Sequence, residues 1–161
     1  MIRTACRAAL ASVLACLAFA AAAAEPIRLR FDPMTILQAV ALRMNVTLRP
    51  DVPLPTILLQ SATPLARFQE AIALQWRFRP PLYANAYVVA RNEIYLMDDA
   101  SYYRRLGRTL DESLAHEFAH YLQVHYFNAD LADPSCETDA VAMQALFAAD
   151  RVADSGTPPR S

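Results

Sequence analysis

The sequence predicts a single α+β domain in which a short antiparallel sheet or hairpin lies beside two helices that carry the chemistry, and three observations support this. The chain has 161 residues, enough for one domain with its own core and too few to expect two. Segments with apolar residues near a 3.6-residue spacing recur along it, the pattern of helices that face a core. The stretch "YVVARNEIYLM", residues 87 to 97, sets β-branched and aromatic residues on either side of a two-residue polar break, the pattern of a hairpin.

Taken in order, residues 1 to 24 read as an export signal. Arg3 and Arg7 form a positive start, Ala8 to Ala20 an apolar run, and Ala22-Ala23-Ala24 a small-residue cleavage site before Glu25. Two alternatives keep this segment on the chain. It can stay as an uncleaved anchor, although it is near the short limit for a membrane span, or Val13-Leu14-Ala15-Cys16 can act as a lipoprotein box that leaves Cys16 lipidated. A membrane partner is expected only in those two cases; otherwise the destination is periplasmic or extracellular. The domain is expected over residues 25 to 150, with a disordered Gly/Pro/Ser tail at 151 to 161.

Asp32 as N-cap with Pro33 in the first turn opens a helix to about 44. Pro50, Pro53 and Pro55 mark a loop leading into a strand near 56 to 60. Thr63-Pro64 opens a second helix, "LARFQEAIALQW", which places Trp76 in the core and ends before Pro80-Pro81. Tyr87 to Ala90 and Glu93 to Met97 form the hairpin, turning at Arg91-Asn92. "ASYYRRLGR" is a helical turn or loop closed by Gly107. Thr109 with Glu112 three residues on forms a capping box for a helix from 110 to 127. After the loop "NADLADPS" a last helix spans 135 to 149.

Net charge is −1 for the whole chain, and loss of Arg3 and Arg7 makes the exported form more acidic. A nucleic-acid partner is therefore not expected. Only Cys136 lies beyond the export segment, so no internal disulfide can form.

The chemistry concentrates in "HEFAH", His116 to His120. At about 100° per residue His120 falls about 40° and Glu117 about 100° from His116, all on one flank. Two imidazoles at that spacing supply adjacent corners of a zinc site, and the intervening glutamate reaches the water. Leu114, Phe118, Tyr121 and Leu122 fall on the opposite flank, so the helix can bury its back. His125 falls about 180° away and cannot join from the same straight helix. The competing reading is a structural helix that happens to carry two histidines.

This motif, with a glutamate-bearing helix downstream, resembles the gluzincin branch of zinc metallopeptidases, especially its smallest members. The metzincin pattern does not fit, because Gln123 stands where it needs glycine and Tyr126 where it needs histidine. The resemblance covers about residues 92 to 147. It implies a zincin-like domain, a Zn2+ cofactor, Glu117 as general base, and an endopeptidase acting on a peptide or protein substrate.

A hydrolytic zinc site needs a third protein ligand. Glu137 in "CETDA" matches the E-x-x-A setting of the gluzincin ligand, while Asp133, Asp139 and Cys136 remain alternatives. Glu137 in a first helical turn also has a plain electrostatic reading. Where many gluzincins place an aspartate to orient the first histidine, this chain has Val141, so the histidines need another partner. Tyr87, Tyr102, Tyr103 and His125 are candidates for stabilising an oxyanion, each with a competing structural role. The resemblance further implies that Ile94, Tyr95 and Leu96 form a sheet edge that receives the substrate; the same residues also read as an ordinary strand. Arg104-Arg105 can steer an acidic substrate or be plain solvated surface. Against the hydrolase stands a non-catalytic module, a zinc-stabilised peptide-binding or structural envelope protein with the same fold.

Overall fold

The computed structural model describes residues 26–155. The expected export signal, its cleavage site and Cys16 lie outside the described residues, as do positions 156–161 of the expected tail. Helix α1 spans Pro33–Arg43, opened by the Asp32 carboxylate accepting from the Met34 N–H at 2.8 Å. Strand β1, Thr56–Leu59, follows the proline-bearing loop, and α2, Leu65–Trp76, follows Pro64 and stops where Arg77 turns left-handed at φ 60°. Strand β2, Ala86–Val88, is joined by a 3-10 turn to β3, Glu93–Leu96.

Asn92 closes that turn at φ 48°, a conformation asparagine tolerates better than most residues. Its side chain donates to the carbonyls of Pro53 and Leu54 at 3.0 and 3.2 Å, so the hairpin turn is tied to the loop before β1. "ASYYRRL" forms a true helix, α3, Ala100–Leu106, because Asp99 caps it at the Ser101 N–H and Gly107 ends it at φ 61°. Helix α4 spans Leu110–Phe127, with Thr109 accepting from the Glu112 N–H at 3.2 Å. Helix α5 spans Pro134–Ser155. It continues past the expected end at 149 into the first residues of the expected tail. Among the described residues no helix is long and apolar enough to cross a membrane.

The fold is α+β, but its sheet is mixed. The order is β1-β3-β2, with β2 antiparallel to β3 as the hairpin requires and β1 parallel to β3. A parallel pair needs a crossover, and α2 provides it. Alternation then divides the core. Ile94 and Leu96 point into a cluster with α1, α4 and α5, while Tyr95 points the other way onto Phe68 and Ile72 of α2. The expected substrate edge at Ile94, Tyr95 and Leu96 is thereby corrected. β3 is the central strand, paired along both sides, and all three residues are fully buried.

One long-range tie anchors the start of the domain. Asp111, 3% exposed in the first turn of α4, accepts from the backbone N–H groups of Arg30 and Phe31 at 2.9 and 3.0 Å. Asp111→Ala is expected to cost about 2–4 kcal/mol, because two charge-assisted bonds go and two inward backbone donors lose their partner. Urea unfolding monitored by circular dichroism measures this; a loss under about 0.5 kcal/mol would mean water replaces the carboxylate freely.

Candidate metal centre

The three parts of the site come from two helices. His116 and His120 lie on successive turns of the central part of α4, whose opposite flank (Leu114, Phe118, Tyr121 and Leu122) is buried. Glu137 arrives on the first turn of α5 because the intervening loop is short and fully capped. Asn128 ends α4 at φ 52°, Asp130 accepts from the Ala132 N–H, and Asp133 accepts from the Ser135 N–H ahead of Glu137. Pro134 supplies the fixed φ of a first helical position. The chain thus reverses at once, and α5 packs back along α4.

His120 Nε2 lies 3.1 Å from His116 Nε2 and 3.2 Å from Glu137 Oε2, and His116 Nε2 lies 3.5 Å from the same oxygen. A tetrahedral zinc ion with bonds of about 2.0–2.1 Å needs ligand atoms about 3.3 Å apart. The donor set and its spacing therefore fit zinc. Among the described residues this is the one cluster of three histidine, cysteine or acidic side chains close enough to share a cation. The histidine side chains are 15% and 12% exposed and that of Glu137 64%, so the triangle is backed by protein and open on the α5 side.

The alternative third ligands lie elsewhere. Cys136 is buried, with its thiol donating to the Asp130 carbonyl, and it lines a separate cavity of about 420 Å³ together with Asp133 and Asp139.

His116, Glu117, His120 and Glu137 share a cleft of about 210 Å³ with Gln75, Asn85, Tyr87 and Leu131. Glu117 is 4% exposed. Burial pushes its carboxyl up to about 8, against the lowering effect of a hydrogen bond from the Tyr87 backbone N–H and with a smaller rise from Glu137. Burial, aided by His120, holds His116 below the usual imidazole range. That favours the neutral ring a metal ligand needs.

The ring nitrogens facing away from the cluster differ. His120 Nδ1 meets Gln123 Oε1 at 2.9 Å, and Gln123 Nε2 donates to the Cys136 carbonyl at 2.9 Å. His116 Nδ1 is buried with no hydrogen-bond partner. The partner that Val141 does not provide is thus supplied to one histidine by Gln123. A helical wheel places Gln123 within about 20° of His116, so the signal was there: a glutamine three residues beyond the second histidine, on the same flank.

Of the suggested oxyanion residues, Tyr102, Tyr103 and His125 do not line the cleft, and Tyr87 turns its hydroxyl elsewhere. The Tyr87 hydroxyl bonds His125 Nε2 at 2.8 Å and Asn92 Oδ1 at 3.0 Å, packed under the sheet. Asn92 spends its NH2 on two carbonyls, so the tyrosine donates to its oxygen and accepts from His125. Tyr103 is buried, accepts from Asn85 Nδ2 and packs edge-on against Tyr102. What Tyr87 brings to the site is its backbone. Beside it the exposed Gln75 carboxamide donates to the Tyr87 carbonyl at 2.9 Å and accepts from the Val89 N–H at 3.1 Å. These are the two bonds of an added parallel strand, so the outer side of β2 is occupied by the chain itself. Trp76 is half-buried at the rim of the second core cluster, edge-on to Phe68.

No family model, no curated protein and no solved structure matches this chain.

Proposed function

We propose that the protein is an exported zinc-dependent peptidase of the gluzincin kind, acting on extended peptides or unstructured protein. The observation that carries the reading is the triangle of His116 Nε2, His120 Nε2 and Glu137 Oε2, with separations of 3.1, 3.2 and 3.5 Å, facing a cleft that also holds a buried glutamate. A zinc ion bound there would polarise the attacking water and the scissile carbonyl. The two imidazoles and Glu137 would hold it and leave one side open. Ionised beside the cation, whose charge would counter the effect of burial, Glu117 would take the proton of the attacking water and return it to the leaving amine. Its burial keeps bulk water from competing for that proton.

A zinc-stabilised module without turnover is the second reading, favoured by Gln75 occupying the outer side of β2 and by the unpartnered Nδ1 of His116. Metal analysis combined with cleavage of a reduced, carboxymethylated protein separates the two. The peptidase should hold about one zinc per chain, lose cleavage to a chelator and regain it when zinc is restored. Stoichiometric zinc without cleavage selects the module, and a chain that binds no zinc removes both.

A further inference from the structure

We propose that Gln123 is a positioning residue, whose buried carboxamide holds His120 in the one neutral tautomer that presents Nε2 to the cluster and pins the turn of α5 that carries Glu137. This rests on the metal-centre reading, and it follows from which atoms can donate. The Cys136 carbonyl can only accept, so the Gln123 atom 2.9 Å from it is the NH2 group. The other end of the amide is then the oxygen, which can only accept, and it lies 2.9 Å from His120 Nδ1. Nδ1 must carry the hydrogen. A neutral imidazole has one N–H, so Nε2 is left with its lone pair, aimed at His116 Nε2 and Glu137 Oε2 at 3.1 and 3.2 Å.

The same amide couples the two helices. Cys136 immediately precedes Glu137, so the bond to its carbonyl fixes the height and rotation of the first turn of α5 against α4. Gln123 is 4% exposed, and both ends of its amide are spent on protein partners. A glutamate at 123 would still accept from His120 but would set a second acceptor against the Cys136 carbonyl. A leucine would do neither. His116 has no such partner behind its ring at Nδ1, so of the two histidines only His120 is held from behind in the form that presents a lone pair to the cluster.

The test uses the purified protein and its Gln123→Leu and Gln123→Glu variants. Imidazole ¹⁵N spectra of the metal-free forms at mildly alkaline pH report the tautomer, and competition with a chromophoric chelator reports zinc affinity. Wild type should show His120 as the Nδ1–H form. Gln123→Leu should move it toward Nε2–H and weaken zinc binding about 10–100-fold, the usual effect of losing a partner behind a metal-bound histidine. Gln123→Glu should keep the Nδ1–H form and lose a smaller part of the affinity, because only the tie to α5 is broken. An Nε2–H form in wild type, or a Gln123→Leu variant that binds zinc within about threefold of wild type, overturns the proposal. If Gln123→Leu does not fold, the wild-type tautomer and the glutamate variant decide. If wild type binds no zinc, the metal-centre reading falls, and the tautomer of His120 still tests the role given to Gln123.

Discussion

Glu117→Gln is expected to leave zinc content unchanged and to lower cleavage of an unstructured protein by about 10²–10⁴-fold, the range a positioned general base supplies. The two effects separate because Glu117 stands outside the donor triangle while sharing its cleft. Glutamine keeps the size of the side chain and an oxygen that can accept from the Tyr87 N–H, so the backbone of β2 stays in place. It removes only the ability to take a proton. The substitution also replaces a carboxyl that burial disfavours in its ionised form with a neutral group, so the variant should unfold at the same denaturant concentration as wild type or a higher one. Parallel metal analysis, urea unfolding and cleavage assays check all three. A variant that cleaves at more than about a tenth of the wild-type rate would take Glu117 out of the mechanism.

What the sequence revealed and what it concealed divide along a physical line. Local rules were legible: the Asp32 and Thr109 caps, the Asn92 turn and the 3.6-residue spacing placed α1, α4 and the hairpin within a residue or two of their ends. The motif on α4 was legible for the same reason, since the flank shared by two imidazoles follows from helix geometry alone. Long-range pairing was not. Nothing in "TILL" or "EIYL" fixes the parallel register of Thr56 with Glu93, and so the edge role given to Ile94, Tyr95 and Leu96 failed. The clue was the unbroken apolar run in that strand, which fits burial on both faces better than exposure on one. Asp111 and Gln123 were missed for a related reason. The importance of Asp111 appears only when Arg30, distant in sequence, is brought against it, and of the two bonds of Gln123 the one to His120 follows from helix geometry while the one to Cys136 does not.

Replacing the donors one at a time should reveal an order that a chance cluster would not. Structural zinc sites are worth about 10–16 kcal/mol over four ligands, so losing one costs roughly 2.5–4 kcal/mol, or about 10²–10³-fold in affinity. His120→Ala should cost the most. His120 Nε2 lies within 3.2 Å of both other donors, and its ring is already held by Gln123. His116→Ala should cost less, because that ring pays to settle its own tautomer. Glu137→Ala, acting at an exposed position, should still cost at least tenfold, since it removes the only negative charge of the triangle. Zinc-dependent rises in melting temperature should shrink in the same order, as binding to the folded state stabilises in proportion to log affinity. Cys136→Ala and Asp139→Ala should bind zinc like wild type, because those side chains line the other cavity, and Asp133→Ala should lose less than about tenfold, the share of its cap on the first turn of α5. A Glu137→Ala variant with wild-type affinity, beside a Cys136→Ala or Asp133→Ala variant without it, would mean that α5 presents its opposite face to the histidines, and with that the glutamate-completed centre would be wrong.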